Sequence, residues 1–338
     1  MAPVRDPFFD IAKAFTMLMV VFGHVSDAAN VFQGWMYNIG IGFKMPMFFL
    51  ISGYFLNSVV ERHDWRRLLF HIKSYFLPLA WISSTFALIS FSLGSIDRSC
   101  LSMVSWALRF FCGQWFVWAL AATYVLVFLA CLLGRSFGCR LCLMLIVCCL
   151  FMSVPCPYAR EMMPYFIVGL TIRHFSIAPW ERRWVGLGCM IVFVVGTYVA
   201  GDVKNNGLAF YFTDTSIKVF FSIGGLGLWL GRHLLGICGS VGVLFLIQHL
   251  LRHYQWMARF SVFGTTTLGV YYLHQQILKV FEHGVRLSGN EGLVIAVSLL
   301  LFLCTHCVVW LSRERTVILR RIIWGLPAMA SSRKGDIR

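Results

Sequence analysis

Long apolar runs broken by short polar clusters organise almost the whole chain. The runs predict helices near 8–28, 37–60, 70–93, 115–134, 139–154, 162–175, 184–200, 262–282 and 291–311. Most approach the length of about 20 residues that an α-helix needs to cross a bilayer. A membrane barrel would instead show alternation over segments of about ten residues, and these runs do not alternate. One stretch fits less neatly. Between Lys218 and Arg252 lie 33 residues, long for one crossing and short for two, with Arg232 and His233 near the middle and glycines at Gly224, Gly225, Gly227, Gly231 and Gly236.

Composition agrees with the pattern. Of 338 residues 59% are apolar and 13% charged, whereas soluble domains run at about 45–50% and 25%. The reading is an all-α integral membrane protein, a polytopic bundle of about ten transmembrane helices. It divides into a transmembrane domain over 1–312 and a basic tail over 313–338. No repeat of 20–50 residues stands out. In the tail, Val317, Ile318, Ile322, Ile323 and Trp324 interleave with Arg320 and Arg321, which predicts a short amphipathic helix on the inner leaflet.

Charge orients the bundle. The net charge is +15, but basic residues gather in cytoplasmic loops of membrane proteins, and no nucleic-acid-binding signature accompanies them, so nucleic acid is not an expected partner. With 218–252 taken as one crossing, 18 basic residues fall on the inner side and five (Arg98, Arg109, Arg160, Lys204, Arg286) on the outer side. Both termini are thereby expected in the cytoplasm of a multi-pass protein of the inner or plasma membrane. Arg5 and Lys13 before the apolar run Ala14–Gly23 imitate a secretory signal. Asp10 and the Phe8-Phe9 pair sit badly in a signal's basic head, and cleavage would spoil the charge parity. Of the twelve cysteines, most lie within apolar runs as small hydrophobes. Cys139-x-x-Cys142 and Cys304-x-x-Cys307 have metal-ligand spacing but no second pair in a plausible loop, so no metal is expected. Cys100, Cys112 and Cys156 are placed outside, with no sequence support for a bridge.

Ionisable groups inside a bilayer are costly and mark function when they face the bundle interior. The first run holds four: Asp10, Lys13, His24 and Asp27. Lys13 and His24 are eleven residues apart, about three turns, so they share a face about 16.5 Å apart along the axis. That spacing suits a long ligand with an anionic head at the cytoplasmic end. His24 is suited to take a proton from a hydroxyl near neutral pH, and Asp27, at i+3, to orient its ring. His249, His274 and His306 lack such company and read as structural. The second run holds Lys44 ahead of Met45-Pro46-Met47, and Ser52-Gly53 further on. The third begins with Arg66, Arg67 and Lys73, a basic inner-face cluster able to hold phosphates.

Phe9-Asp10-Ile11-Ala12-Lys13 followed by Gly23-His24 resembles the opening of the integral-membrane acyltransferase family 3, in particular its fucose 4-O-acetylase-like branch. Met45 through Tyr54 resembles that family's second-helix signature, and Arg66 to Pro78 its third-helix start. Trp115-Phe116, Pro164 through Gly169, and Leu268 through His274 are similar to later landmarks, so the resemblance covers about 8–311. It implies a ten-helix enzyme moving an acyl group, usually acetyl, from cytoplasmic acyl-CoA to a hydroxyl of a surface or exported glycan or lipid-linked sugar. On that reading acetyl-CoA or another acyl-CoA is the donor, and His24 is the general base. Lys13, Arg66, Arg67 and Lys73 hold the donor's phosphates, while Asp10, Lys44, Tyr54, Trp115 and His274 contact substrate. Position 44 departs from the family, being lysine where many relatives have histidine. Membrane lipids are the remaining expected partner, and the oligomeric state is not expressed in the sequence. A transporter or flippase for a glycan-related substrate, and a non-catalytic scaffold, are the competing readings.

Overall fold

The computed structural model describes residues 6–31, 35–61, 63–92, 99–134, 136–151, 157–199, 223–284, 290–316, 319 and 323–324. The stretch 200–222, the loops bearing Arg98, Lys204 and Arg286, residue Cys156 and most of the predicted tail helix lie outside these residues. Among the described residues every regular element is helical and none is a strand. The long helices are α1 (Pro7–Ala29), α2 (Trp35–Glu61), α3 (Trp65–Ser92), α4 (Cys100–Gly113), α5 (Trp115–Leu133), α6 (Phe137–Phe151), α7 (Pro157–His174), α8 (Arg183–Val199), α9 (Ile223–His253), α10 (Thr267–Gly284) and α11 (Glu291–Trp310). A 3₁₀ segment, Gln255–Phe260, and a single helical turn, Ser261–Gly264, join α9 to α10.

Among the described residues five helices are long and apolar enough to cross a membrane: Pro7–Ala29, Trp65–Ser92, Trp115–Leu133, Trp229–His253 and Glu291–Arg313. The protein is thus a membrane protein with several apolar helices. The stretch that was hard to count from sequence contains one continuous helix of 31 residues, α9. Arg232 and His233 sit within it without breaking it, because both are buried and bonded to a neighbouring helix.

Local chemistry sets the ends of α1. Asp6 accepts a hydrogen bond from the Phe8 amide at 2.9 Å, and Pro7 occupies the first turn, where its missing N–H costs nothing. At the other end Asn30 adopts a left-handed φ of 53°, and its N–H closes onto the carbonyls of Asp27 and Ser26. Pro46 within α2 removes the backbone bond to the Gly42 carbonyl, and Pro78 within α3 removes that to Ser74. Hydroxyls inside the bundle turn onto their own helices, as Thr16 does to the Ala12 carbonyl, Thr123 to Ala119 and Ser298 to Val294. Such bonds satisfy polar atoms where water cannot.

Helices α1 and α2 form the middle of the bundle. The first touches α2, α9, α10 and α11; the second touches α1, α3, α5, α7, α8 and α9, and packs most extensively on α7. Lipid tails are as apolar as leucine, so close van der Waals approach must hold membrane helices together. The α2–α7 pair achieves it with two glycines. A Cβ on Gly53 would strike the Phe166 carbonyl, and one on Gly169 the Leu50 carbonyl. Elsewhere Tyr272 of α10 donates to the Tyr75 carbonyl of α3 at 2.7 Å. Gly264 presses onto the Asp10 carbonyl, seating the α9–α10 connection against α1. Trp324 folds back onto the bundle, donating to the Ser312 hydroxyl at 3.3 Å and lying over Gly269.

Candidate functional site

His24, Lys44 and His274 meet in the interior, one from each of α1, α2 and α10. Lys44 is only 4% exposed. Its ammonium lies where a side chain on residue 23 would project, so Gly23 is the vacancy that lets it reach the flank of His24. There it interacts electrostatically with Asp27, His24 and His274. The two imidazoles lie 5.2 Å apart between centroids, tilted by 37°.

Each ring is held differently. His274 is fully buried, and its Nδ1 faces the Val270 carbonyl at 2.9 Å in its own helix. That contact places the ring proton on Nδ1 and leaves Nε2 with a lone pair. Nε2 has no hydrogen-bond partner among the described residues. The Nε2 of His24 lies 3.2 Å from the amide nitrogen of Gln275, the next residue along α10. Gln275 was not singled out from sequence; nothing in a helical pattern reveals a partner 251 positions away. Asp27 is exposed in the last turn of α1, and its charge acts on Lys44.

The remaining sequence candidates fall into other places. Lys13 pairs with the buried carboxylate of Asp10, Nζ to Oδ1 2.6 Å, one turn apart on α1. Arg66, Arg67 and Lys73 are exposed on the first turns of α3, with the Arg66 guanidinium over the Trp65 ring at 5.7 Å. Trp115, half-buried at the start of α5, meets Phe116 edge-on at 6.2 Å, and Phe116 in turn contacts Tyr271 of α10 at 5.1 Å. Tyr54 lies near the opposite end of α2 from the imidazoles and accepts a hydrogen bond from Arg173 Nη1 at 3.1 Å. Four of the candidates are thus gathered around His24: itself, Asp27, Lys44 and His274.

A second buried polar group occupies α7 and α9. Arg232 and Glu161 form an ion pair, with both residues nearly free of solvent. His233 points Nδ1 at the Trp229 carbonyl, 2.7 Å, and Nε2 at the Glu161 carbonyl, 3.0 Å. Tyr165 stacks on its ring at 5.0 Å. The basic pair was visible in sequence as an oddity of the 218–252 stretch, but Glu161 was not connected to it.

Apolar helices suited to a bilayer, with two imidazoles and an ammonium drawn together inside, define a multi-pass membrane protein with a buried cluster of ionisable groups. A family model described as an acyltransferase domain matches residues 6–313. The chain belongs to that family, acyltransferase family 3, and is a membrane acyltransferase. No curated protein and no solved structure matches the chain.

Proposed function

We propose that the protein is an O-acyltransferase of the fucose 4-O-acetylase-like kind. It transfers acetyl, or a related acyl group, from cytoplasmic acyl-CoA to a hydroxyl of a surface or exported glycan. The observation that carries this reading is the meeting of His24, His274 and Lys44 in the interior of a chain that belongs to an acyltransferase family. The charge asymmetry of the loops supports ten crossings with both termini in the cytoplasm. In that orientation the amino end of α1 faces the donor, and His24 lies toward the outer side, where a glycan arrives.

The chemistry follows from the groups present. His24 takes the proton of the acceptor hydroxyl as general base, and the oxygen attacks the thioester carbonyl. The Lys44 ammonium stabilises the oxyanion of the tetrahedral intermediate. Collapse breaks the carbon–sulfur bond, and the proton held by His24 passes to the departing CoA sulfur. His274 shapes the other wall of the reacting volume with its unpartnered Nε2. Lys13 lies on the donor's path, and Arg66, Arg67 and Lys73 attract its phosphates at the inner face.

The test is acetyl-CoA labelled in the acetyl group, supplied to full-length protein in nanodiscs together with a crude surface-glycan extract. Wild type is expected to release CoA and label the glycan. His24→Ala is expected to lower transfer by about 10²–10⁴-fold while keeping the wild-type melting temperature. Unchanged transfer by His24→Ala removes His24 from the mechanism.

A further inference from the structure

Where α1 begins and α2 and α7 end, the bundle holds a cavity of about 250 Å³ lined by Asp6, Phe9, Tyr54, Phe55 and Arg173. Its floor is aromatic. Phe9 lies 4.9 Å from both Tyr54 and Phe55, and Trp180 closes on Tyr54 at 5.8 Å. Over this floor the Arg173 guanidinium is pinned by Tyr54 in two ways, donating to its hydroxyl at 3.1 Å and lying 5.1 Å above its ring. Of the five N–H donors of an arginine, that hydroxyl occupies one, and the others meet no partner among the described residues. Arg173 is itself exposed, and Phe55 keeps 51% of its surface open. The Asp6 carboxylate is turned onto the Phe8 amide as a helix cap, and the amino end of α1 contributes positive potential to the same mouth.

A guanidinium fixed in place but unspent is a seat for a phosphate, and an open aromatic face beside it is a seat for a planar ring. Register adds a third constraint. Phe9, Lys13 and His24 fall within about 60° of one another around α1, and Phe9 lies 15 residues, about 22 Å, below His24. A ligand reaching from this cavity to the imidazoles is long and thin, with its charge at the foot.

We propose that the cavity at Phe9, Tyr54, Phe55 and Arg173 seats the phosphorylated nucleoside head of the donor. Arg173 grips a phosphate and Phe55 stacks on the base. This rests on the acyl-CoA reading above and moves the head's seat from the α3 arginines to the foot of α1. A phospholipid headgroup presents the same phosphate chemistry without a base, so the experiment must separate the two.

Binding of labelled adenosine 3′,5′-bisphosphate and of inorganic pyrophosphate is measured on full-length protein in neutral phosphatidylcholine and in anionic phosphatidylglycerol nanodiscs, beside donor kinetics. Wild type is expected to prefer the nucleotide in both lipids. Arg173→Ala is expected to weaken nucleotide binding and raise the acetyl-CoA KM by about tenfold or more, with a much smaller fall in kcat. Arg173→Lys, which keeps the charge and loses the fork, falls between. Phe55→Leu weakens the nucleotide and spares pyrophosphate. Nucleotide binding and donor KM indifferent to Arg173→Ala in protein that turns over normally overturn the seat and leave the acyltransferase reading standing. Binding abolished by anionic lipid, with no preference for nucleotide over pyrophosphate, identifies a lipid-headgroup seat and also overturns it. Wild type that does not turn over acetyl-CoA yet binds nucleotide through Arg173 removes the acyl-CoA reading and keeps a nucleotide seat.

Discussion

Two of the groups of ionisable side chains buried among the described residues hold their charges in different ways. Between α7 and α9 the Arg232 guanidinium meets the Glu161 carboxylate, and both ring nitrogens of His233 face carbonyl oxygens. Among α1, α2 and α10 the His274 ring makes one bond and leaves Nε2 bare, beside a lysine ammonium admitted by a glycine. The first arrangement spends its two charges on each other. The second has a proton acceptor and a positive charge directed at one volume. Burial alone therefore does not distinguish the two; the way their charges are paired does.

That contrast can be broken by substitution. The largest effect is expected from Glu161→Ala, which strands the Arg232 charge in an apolar interior. It should cost about 3–5 kcal/mol, read as a lower melting temperature and a poor yield of monodisperse protein. Replacing both partners with apolar residues should recover much of that loss. Next come two matched changes that keep ring shape. His274→Phe should lower transfer by about 10²-fold with stability held within about 1 kcal/mol, since it removes a buried nitrogen that had no partner. His233→Phe should do the reverse, costing about 1–3 kcal/mol for the carbonyl hydrogen bond that the imidazole N–H makes, and sparing turnover at a temperature where the protein remains folded. Equal losses of stability in the two variants would erase the distinction drawn here. The smallest effect is expected from Gly23→Ala. Its methyl displaces only the flexible end of Lys44, so stability should barely move while kcat falls about tenfold from a misplaced ammonium.

Hydropathy made most of the helices legible. The first run was read as 8–28 and forms Pro7–Ala29; the last was read as 291–311 and forms Glu291–Trp310. Helix α4 was missed. Its 14 residues mix Ser102, Ser105 and Arg109 with large apolar side chains, and it exposes Leu101 and Leu108 while packing against α3. A segment so short and mixed carries no crossing signal. Within the candidate site, His24 was legible because it is an ionisable residue inside an apolar run, with Asp27 at a countable spacing on the same helix. The meeting of Lys44 with His24 was not, since it depends on which turn of α2 faces α1 and on the room left by Gly23. Glu161 and Arg232 are 71 positions apart, and Arg173 is 119 from Tyr54. Such pairs are made by tertiary packing and leave no local periodicity.

The glycine contacts between α2 and α7 also have a mechanical meaning. With Gly53 against the Phe166 backbone and Gly169 against the Leu50 backbone, the two helices meet backbone to backbone at these two points, with no side chain between them there to give way, and form one shaft. Near one end that shaft carries Lys44, and about 15 Å further along it carries Tyr54, with Arg173 fastened to the same end through α7. Arg173 and Lys44 are thereby attached to one pair of helices in backbone contact, the one through α7 and the other through α2.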